Sequence, residues 1–198
     1  MKKRIGIFGG TFNPPHIGHV AAANAFCSEI QLDRLIVMPS FIPPHKEYKS
    51  DVSCEDRLHM CKIAFKDVPK ATVSDLEITR GGTSYTYLTL QELTEEDTEL
   101  YFLCGTDMIL TMDLWKKPDV IFSLSRICYI RRENDGETTK MLDKKIAEYT
   151  EKFNATVIPI HSDVIEISSS EVRDNVNRAS QYLPDGVFEF IREAGLYK

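Results

Sequence analysis

The chain has 198 residues, 42% hydrophobic and 27% charged, which is the composition of a soluble globular protein with enough length for one domain and a sizeable core. Its formal net charge of −6 excludes the basic surface on which broad nucleic-acid binding leans, but not a nucleotide pocket, which needs only a local cluster of donors. No apolar run approaches the ~20 residues needed to span a bilayer, and no secretory cleavage pattern follows Met1-Lys2-Lys3-Arg4, so a cytoplasmic protein without membrane contact is expected. The five cysteines, Cys27, Cys54, Cys61, Cys104 and Cys128, are odd in number and never spaced as CxxC. They read as reduced thiols, mostly buried, rather than as disulfides or a zinc site.

Strands and helices alternate along the chain. Strands are expected at Arg4–Phe8, Leu35–Met38, Thr72–Leu76, Leu100–Cys104, Arg126–Ile130 and Thr156–Ile160. Helices are expected at Ile17–Ile30, Cys54–Phe65, Thr86–Leu93, Thr139–Lys152, Ser169–Arg178 and Asp185–Ala194. Ser53 with Asp56 three residues on resembles a capping box, and Gly195 suits a helix stop. Strands separated by helices pair in parallel with right-handed crossovers. The fold class is therefore α/β, a Rossmann-like, doubly wound parallel sheet forming one domain over residues 1–198.

The junction after the first strand carries the densest chemistry: Gly9-Gly10-Thr11-Phe12-Asn13-Pro14-Pro15-His16-Ile17-Gly18-His19. Glycines let a ligand approach the backbone, a helix N-terminus presents free N–H groups and roughly half a positive charge to a phosphate, and two histidines three apart share a helix face. The turn is neither G-x-G-x-x-G nor a P-loop, which disfavours dinucleotide-dependent dehydrogenases and P-loop enzymes.

Five further clusters follow. Pro43-Pro44-His45-Lys46 offers a cation in a stiffened loop, either for phosphate or as a solvated lysine. Glu77-Ile78-Thr79-Arg80-Gly81-Gly82-Thr83-Ser84-Tyr85-Thr86 reads as a strand end, a glycine turn and a helix start. Its hydroxyls and N–H groups suit a small anion, or it is a plain capped loop. Gly105-Thr106-Asp107 is a ribose-binding carboxylate or an N-cap. Trp115, the only tryptophan, is a core residue or a stacking platform at an element's end. Ile167-Ser168-Ser169-Ser170-Glu171-Val172-Arg173 is both a capping box and a phosphate cradle of hydroxyls with an arginine one turn in.

The opening string resembles the nucleotidyltransferase superfamily, marked by a His-x-Gly-His tetrad after a Gly-Gly-Thr/Ser-Phe turn. The tetrad also occurs in class I aminoacyl-tRNA synthetases. Taken in order, GGTFNPPHIGH, MPSFIPPHK, EITRGGTSYT, GTDMILTMDLW and ISSSEVR resemble the bacterial nicotinate-nucleotide adenylyltransferases, over nearly the whole chain.

That resemblance implies adenylyl transfer from ATP to nicotinate mononucleotide, giving deamido-NAD and pyrophosphate, by in-line attack of the acceptor 5′-phosphate on the α-phosphorus. It implies a catalytic set of His16, His19, Lys46 and Arg173. It implies an ATP site of Gly9, Gly10, Thr11, Phe12, Gly105, Asp107, Ile167, Ser168, Ser169 and Ser170 around the same histidines and arginine. It implies an acceptor site of Asn13, Ser40, Lys46, Ser84, Tyr85, Thr86, Trp115, Lys116 and Arg132. Mg²⁺ would be held by the ATP phosphates rather than by the protein, no nucleic acid would bind, and homo-oligomerisation is left open. The chain departs from the family pattern at Asn13, where Asp is usual, at Ser40, at Lys116 and after Arg132. An amide acceptor and a regulator that binds nucleotide without turnover stand as alternatives.

Overall fold

The computed structural model describes residues 2–44, 52–130, 136–162 and 167–198. Six strands, β1 (Lys3–Gly10), β2 (Arg34–Pro39), β3 (Ala71–Val73), β4 (Thr98–Gly105), β5 (Ser125–Ile130) and β6 (Val157–Ile160), form one sheet in the order β3-β2-β1-β4-β5-β6. Every pairing is parallel. The helices are α1 (Ile17–Ile30), α2 (Cys54–Ala64), α3 (Leu76–Arg80), α4 (Thr86–Leu93), α5 (Thr106–Ile109), α6 (Pro118–Leu124), α7 (Gly136–Phe153), α8 (Ser169–Asp174) and α9 (Val187–Glu193). The Rossmann-like α/β expectation is met. No helix among the described residues is long and apolar enough to cross a membrane.

The period-2 rule of strands sorts the core into two layers. In β1, Phe8 joins Phe26, Leu35, Met60 and Val187 on one face of the sheet. Ile7 joins Leu90, Phe102, Trp115 and Ile121 on the other. Both faces are covered, as an all-parallel sheet requires. Gly6 faces the first layer, and there α1 and β2 come so close that a Cβ would meet Phe26 Cε1 at 2.8 Å and Leu35 Cδ1 at 3.2 Å, with Leu32 Cδ1 nearer still.

Two sequence expectations are corrected. The third strand ends at Val73, not Leu76. Ser74 accepts at its Oγ from the N–H of Leu76 at 3.2 Å, and this local bond turns the chain into α3, so Glu77-Ile78-Thr79-Arg80 is helix and not a strand end. The helix begun at Ser169 stops at Asp174 rather than Arg178. Asn175 leaves helical geometry and its Oδ1 accepts from the N–H of Arg178 at 3.0 Å, the competition that makes Asn a poor helix-interior residue. Helix α6, absent from the sequence reading, starts with Pro118 at its first turn, where the missing N–H costs nothing.

Gly6→Ala is expected to destabilise the protein by about 1–2 kcal/mol through overpacking against fully buried neighbours. That would lower the thermal midpoint by roughly 2–8 °C, and an unchanged midpoint would contradict the close-packing account.

Candidate active site

The strand order places the carboxyl ends of β1 and β4 side by side while their following loops depart, which opens the crevice where ligands bind in open α/β sheets. His16 and His19 stand at its rim. His16 is the N-cap of α1 and 4% exposed. Its backbone N–H donates to Nδ1 of His19 at 3.2 Å, and the rings lie 3.7 Å apart between centroids. Because Nδ1 of His19 accepts, the proton of its neutral ring sits on Nε2, which makes that atom a donor. Phe12 backs His19 edge-on at 5.1 Å. Its own ring is core, 2% exposed, and its φ of +48° turns the backbone out of the strand. The Asn13–Pro14 bond is cis.

Residues from the far end of the chain close on this loop. Ser169 Oγ donates to the Pro14 carbonyl at 2.9 Å. Arg173 donates to the Asn13 carbonyl at 2.6 Å and to Ser170 Oγ at 2.9 Å. Tyr197 donates to Asn13 Oδ1 at 2.5 Å. The structure thus gathers His16, His19, Ser169, Ser170 and Arg173. Ser168 is the N-cap of α8, and its hydroxyl is engaged with Glu171, donating to the carboxylate at 2.6 Å and accepting from the N–H at 3.2 Å. The hydroxyl, joined by the Ser168 N–H at 2.7 Å, holds the Glu171 carboxyl below the usual carboxylate range. Ile167 directly precedes this cap. Among the described residues Arg173 has no carboxylate partner, so its charge remains available to an anion.

A cavity of about 110 Å³ lies beside the β1 end. Gly9, Gly10 and Thr11 form one wall, Ser40 with Pro43 and Pro44 a second, Ser84 and Thr86 a third, and Trp115 the floor with Phe102. Trp115 is both core and lining. It is 9% exposed and edge-on to Phe102 at 6.2 Å. Asp113 pins its turn: Tyr149 donates to that carboxylate at 2.9 Å and Lys145 at 2.8 Å. Burial alone would raise the Asp113 pKa, but these two bonds outweigh it and hold the carboxyl low. Among the described residues the buried Ser40 Oγ has no hydrogen-bond partner, a costly state that a ligand polar group would relieve.

Other expected residues stand apart. Asn13 is 6% exposed and held by Tyr197 outside the cavity lining. Tyr85 caps α4 with its backbone. Lys116 is exposed, and Asp107 is exposed in the first turn of α5, whose N-cap is Gly105. Asp107 is therefore not a helix cap. Lys46 and Arg132 lie outside the described residues.

Two buried charges at the site escaped the sequence reading. Arg57, on α2, is fully buried, donating to the Thr11 carbonyl at 2.8 Å and the Phe41 carbonyl at 3.3 Å. It braces the loops after β1 and β2. Its signal was its place on the apolar stripe with Met60, Cys61 and Ala64. Glu77, 7% exposed, lines the cavity, and burial pushes its pKa up despite the Thr89 hydrogen bond and the nearby Ser84 hydroxyl and Arg80. Among the described residues no three His, Cys, Asp or Glu side chains group as metal ligands would.

The Cytidylyltransferase-like family matches residues 7–175. A probable nicotinate-nucleotide adenylyltransferase of Clostridium botulinum (strain Alaska E43 / Type E3) is 36% identical over 199 residues, covering 99% of this chain and 98% of the relative. One of the same name from Listeria monocytogenes (serotype 4a, strain HCC23) is 30% identical over 199 residues, covering 100% and 98%. Among solved structures, the Plasmodium falciparum nicotinic acid mononucleotide adenylyltransferase complexed with NaAD shares the fold, with a TM-score of 0.76, 20% identity and coverage of 98% and 97%. The chain belongs to the Cytidylyltransferase-like family and, within it, to the nicotinate-nucleotide adenylyltransferases.

Proposed function

We propose that this enzyme joins ATP and nicotinate mononucleotide into deamido-NAD and pyrophosphate, through the residues gathered at the β1–β4 crevice. The observation that carries the reading is the pairing of two unlike surfaces across one loop. On one side stand His16, His19, Ser170 and Arg173, with ring, hydroxyl and guanidinium donors and the arginine's positive charge. On the other is the apolar cavity floored by Trp115, with the unpartnered Ser40 hydroxyl. A triphosphate suits the first and a pyridine ring the second.

In the reaction an acceptor phosphate oxygen forms a bond to the α-phosphorus, and the bond from that phosphorus to the β-bridging oxygen breaks. The electron pair leaves with pyrophosphate, and water takes no part. Such phosphoryl transfer asks the protein for alignment and charge stabilisation rather than a nucleophile. His19 Nε2 and His16 donate to the α-phosphate and its neighbours as charge builds. Gly9, Gly10, Thr11 and Phe12 give backbone approach to the triphosphate, and Ser168, Ser169, Ser170 and Arg173 take the β- and γ-phosphates. Gly105, Asp107 and Ile167 neighbour the adenosine. Lys46 adds a cation between the reacting phosphates. Trp115 stacks on the pyridine, Thr86 meets its carboxylate, and Arg132 and Lys116 are assigned to acceptor binding. The donor set at the phosphates is imidazole, hydroxyl and guanidinium, which matches phosphate oxygens and not a protein-held dication. Mg²⁺ would therefore come with the ATP substrate as its counter-ion, supplying charge neutralisation for the pyrophosphate. Five free cysteines suit a reducing cytoplasm.

Purified protein with MgATP and nicotinate mononucleotide is expected to release pyrophosphate stoichiometrically with deamido-NAD, and a folded protein that releases none refutes the reading. His19→Ala should lower kcat by about 10²–10³, as losing one preorganised donor does, while the loss of its bond to the His16 N–H costs only about 1 kcal/mol of stability. A kcat within twofold of the parent would remove His19 from the chemistry. The acid acceptor should exceed nicotinamide mononucleotide in kcat/KM by at least ~10²-fold, because an amide leaves donors mispaired. Equal efficiencies would favour a general mononucleotide acceptor.

A further inference from the structure

Glu77 sits where a carboxylate is hardest to explain as packing. It is buried in the wall of a cavity meant, on the reading above, for an anionic ring. One hydrogen bond accounts for it. Thr89 Oγ1 donates to Glu77 Oε1 at 2.5 Å. A hydroxyl has one hydrogen and two lone pairs, so giving its hydrogen to Glu77 leaves Thr89 Oγ1 an acceptor for Arg80. The carboxylate therefore sets the polarity of this link. Just before α4, Ser84 Oγ accepts from the N–H of Phe41 at 2.9 Å. The same junction is doubled by the backbone: Ser84 N–H donates to the Ile42 carbonyl at 2.9 Å, and Ile42 bridges Thr83 in parallel.

The charged groups that face Glu77 are few. Arg80, one turn along α3, lies 3.8 Å away and donates to Thr89 Oγ1 at 3.0 Å. Glu92 on α4 draws the other arm of Arg80 at 3.1 Å. The described part of the loop after β2 (residues 40–44) carries no charge. Glu77 fixes the body of α4 through Thr89, one turn on from Thr86, the first residue of the helix. Ser84 holds Phe41, next to Ser40, whose Oγ has no partner among the described residues.

We propose that Glu77 is the positioning residue of the acceptor pocket, holding Thr89 so that α4, and Thr86 with it, keep the cavity in binding shape. It acts through Thr89 and does not touch the acceptor. This rests on the acceptor reading given above. The ATP side, tied by Arg173, Ser169 and Arg57, does not pass through Glu77.

The test is steady-state kinetics on the full chain with Glu77→Ala, Glu77→Gln, Thr89→Val and the Glu77→Ala/Thr89→Val double variant. Glu77→Ala should raise KM for nicotinate mononucleotide about 10–30-fold, as losing one buried hydrogen bond to a charged group would, with kcat and KM for ATP within about threefold. Glu77→Gln, whose amide oxygen still accepts the Thr89 hydroxyl, should recover part of that loss. The double variant should be no worse than about twofold beyond Thr89→Val, because the two residues form one link. An unchanged acceptor KM, equal rises in both KM values, or additive effects in the double variant would overturn the proposal. If Glu77→Ala fails to fold, Glu77→Gln and Thr89→Val decide it by the same split between acceptor and ATP. Parent enzyme that fails to turn over nicotinate mononucleotide at all would instead refute the acceptor reading, so the two failures are distinct.

Discussion

All six strands run the same way, so all six carboxyl ends meet at one edge of the sheet. This constraint governs the rest of the molecule. The order β3-β2-β1-β4-β5-β6 places the first strand in the middle, with the second and fourth beside it. The chain leaves β1 to cover one face and leaves β4 to cover the other, so no connection crosses the gap between them. That gap is where the glycine turn, the two histidines and the cavity lie.

A parallel sheet supplies the gap but not its precision. Loops at the carboxyl edge are held by side chains reaching carbonyls from distant parts of the sequence. Arg57 bonds Thr11 and Phe41, and Arg173 and Ser169 bond Asn13 and Pro14 across about 155–160 positions. Tyr197 reaches Asn13 from the last turn of the chain. Here Asn13 is an acceptor at both its oxygens, so a neutral amide serves both bonds. Each of these bonds is worth only about 1 kcal/mol net when neutral and somewhat more when the donor is charged. Their effect lies in geometry, because a misplaced donor stabilises developing charge poorly.

Much of this was legible in the sequence where the physics is local. Strand alternation, the Ser53 cap with its bond from the Asp56 N–H at 3.0 Å, and the stop at Gly195 with φ of +64° depend on neighbouring residues only. His16 and His19 were legible as a face because helical spacing is fixed. Glu77 was not. A charged residue before Thr79-Arg80-Gly81-Gly82 looks like a solvated strand end, and its burial is created by Thr89, Ser84 and the loop after β2, none of which its own segment encodes. Asn175 ended α8 early through one side-chain bond that pattern alone does not separate from a continuing helix. The Asn13–Tyr197 contact spans 184 positions and leaves no local trace.

The central claim is that the site works by alignment and charge. Nδ1 of His19 is occupied by the His16 N–H, and on the proposed reading the histidines donate to oxygens of an α-phosphate attacked directly by the acceptor, with no adenylylated enzyme on the path. The most direct measurement is the stereochemical course at the α-phosphorus, using ATP chiral at that centre by sulfur substitution and nicotinate mononucleotide as acceptor. A single in-line displacement predicts inversion of configuration in the dinucleotide product. Retention would mean two displacements through a covalent intermediate, and would contradict the account.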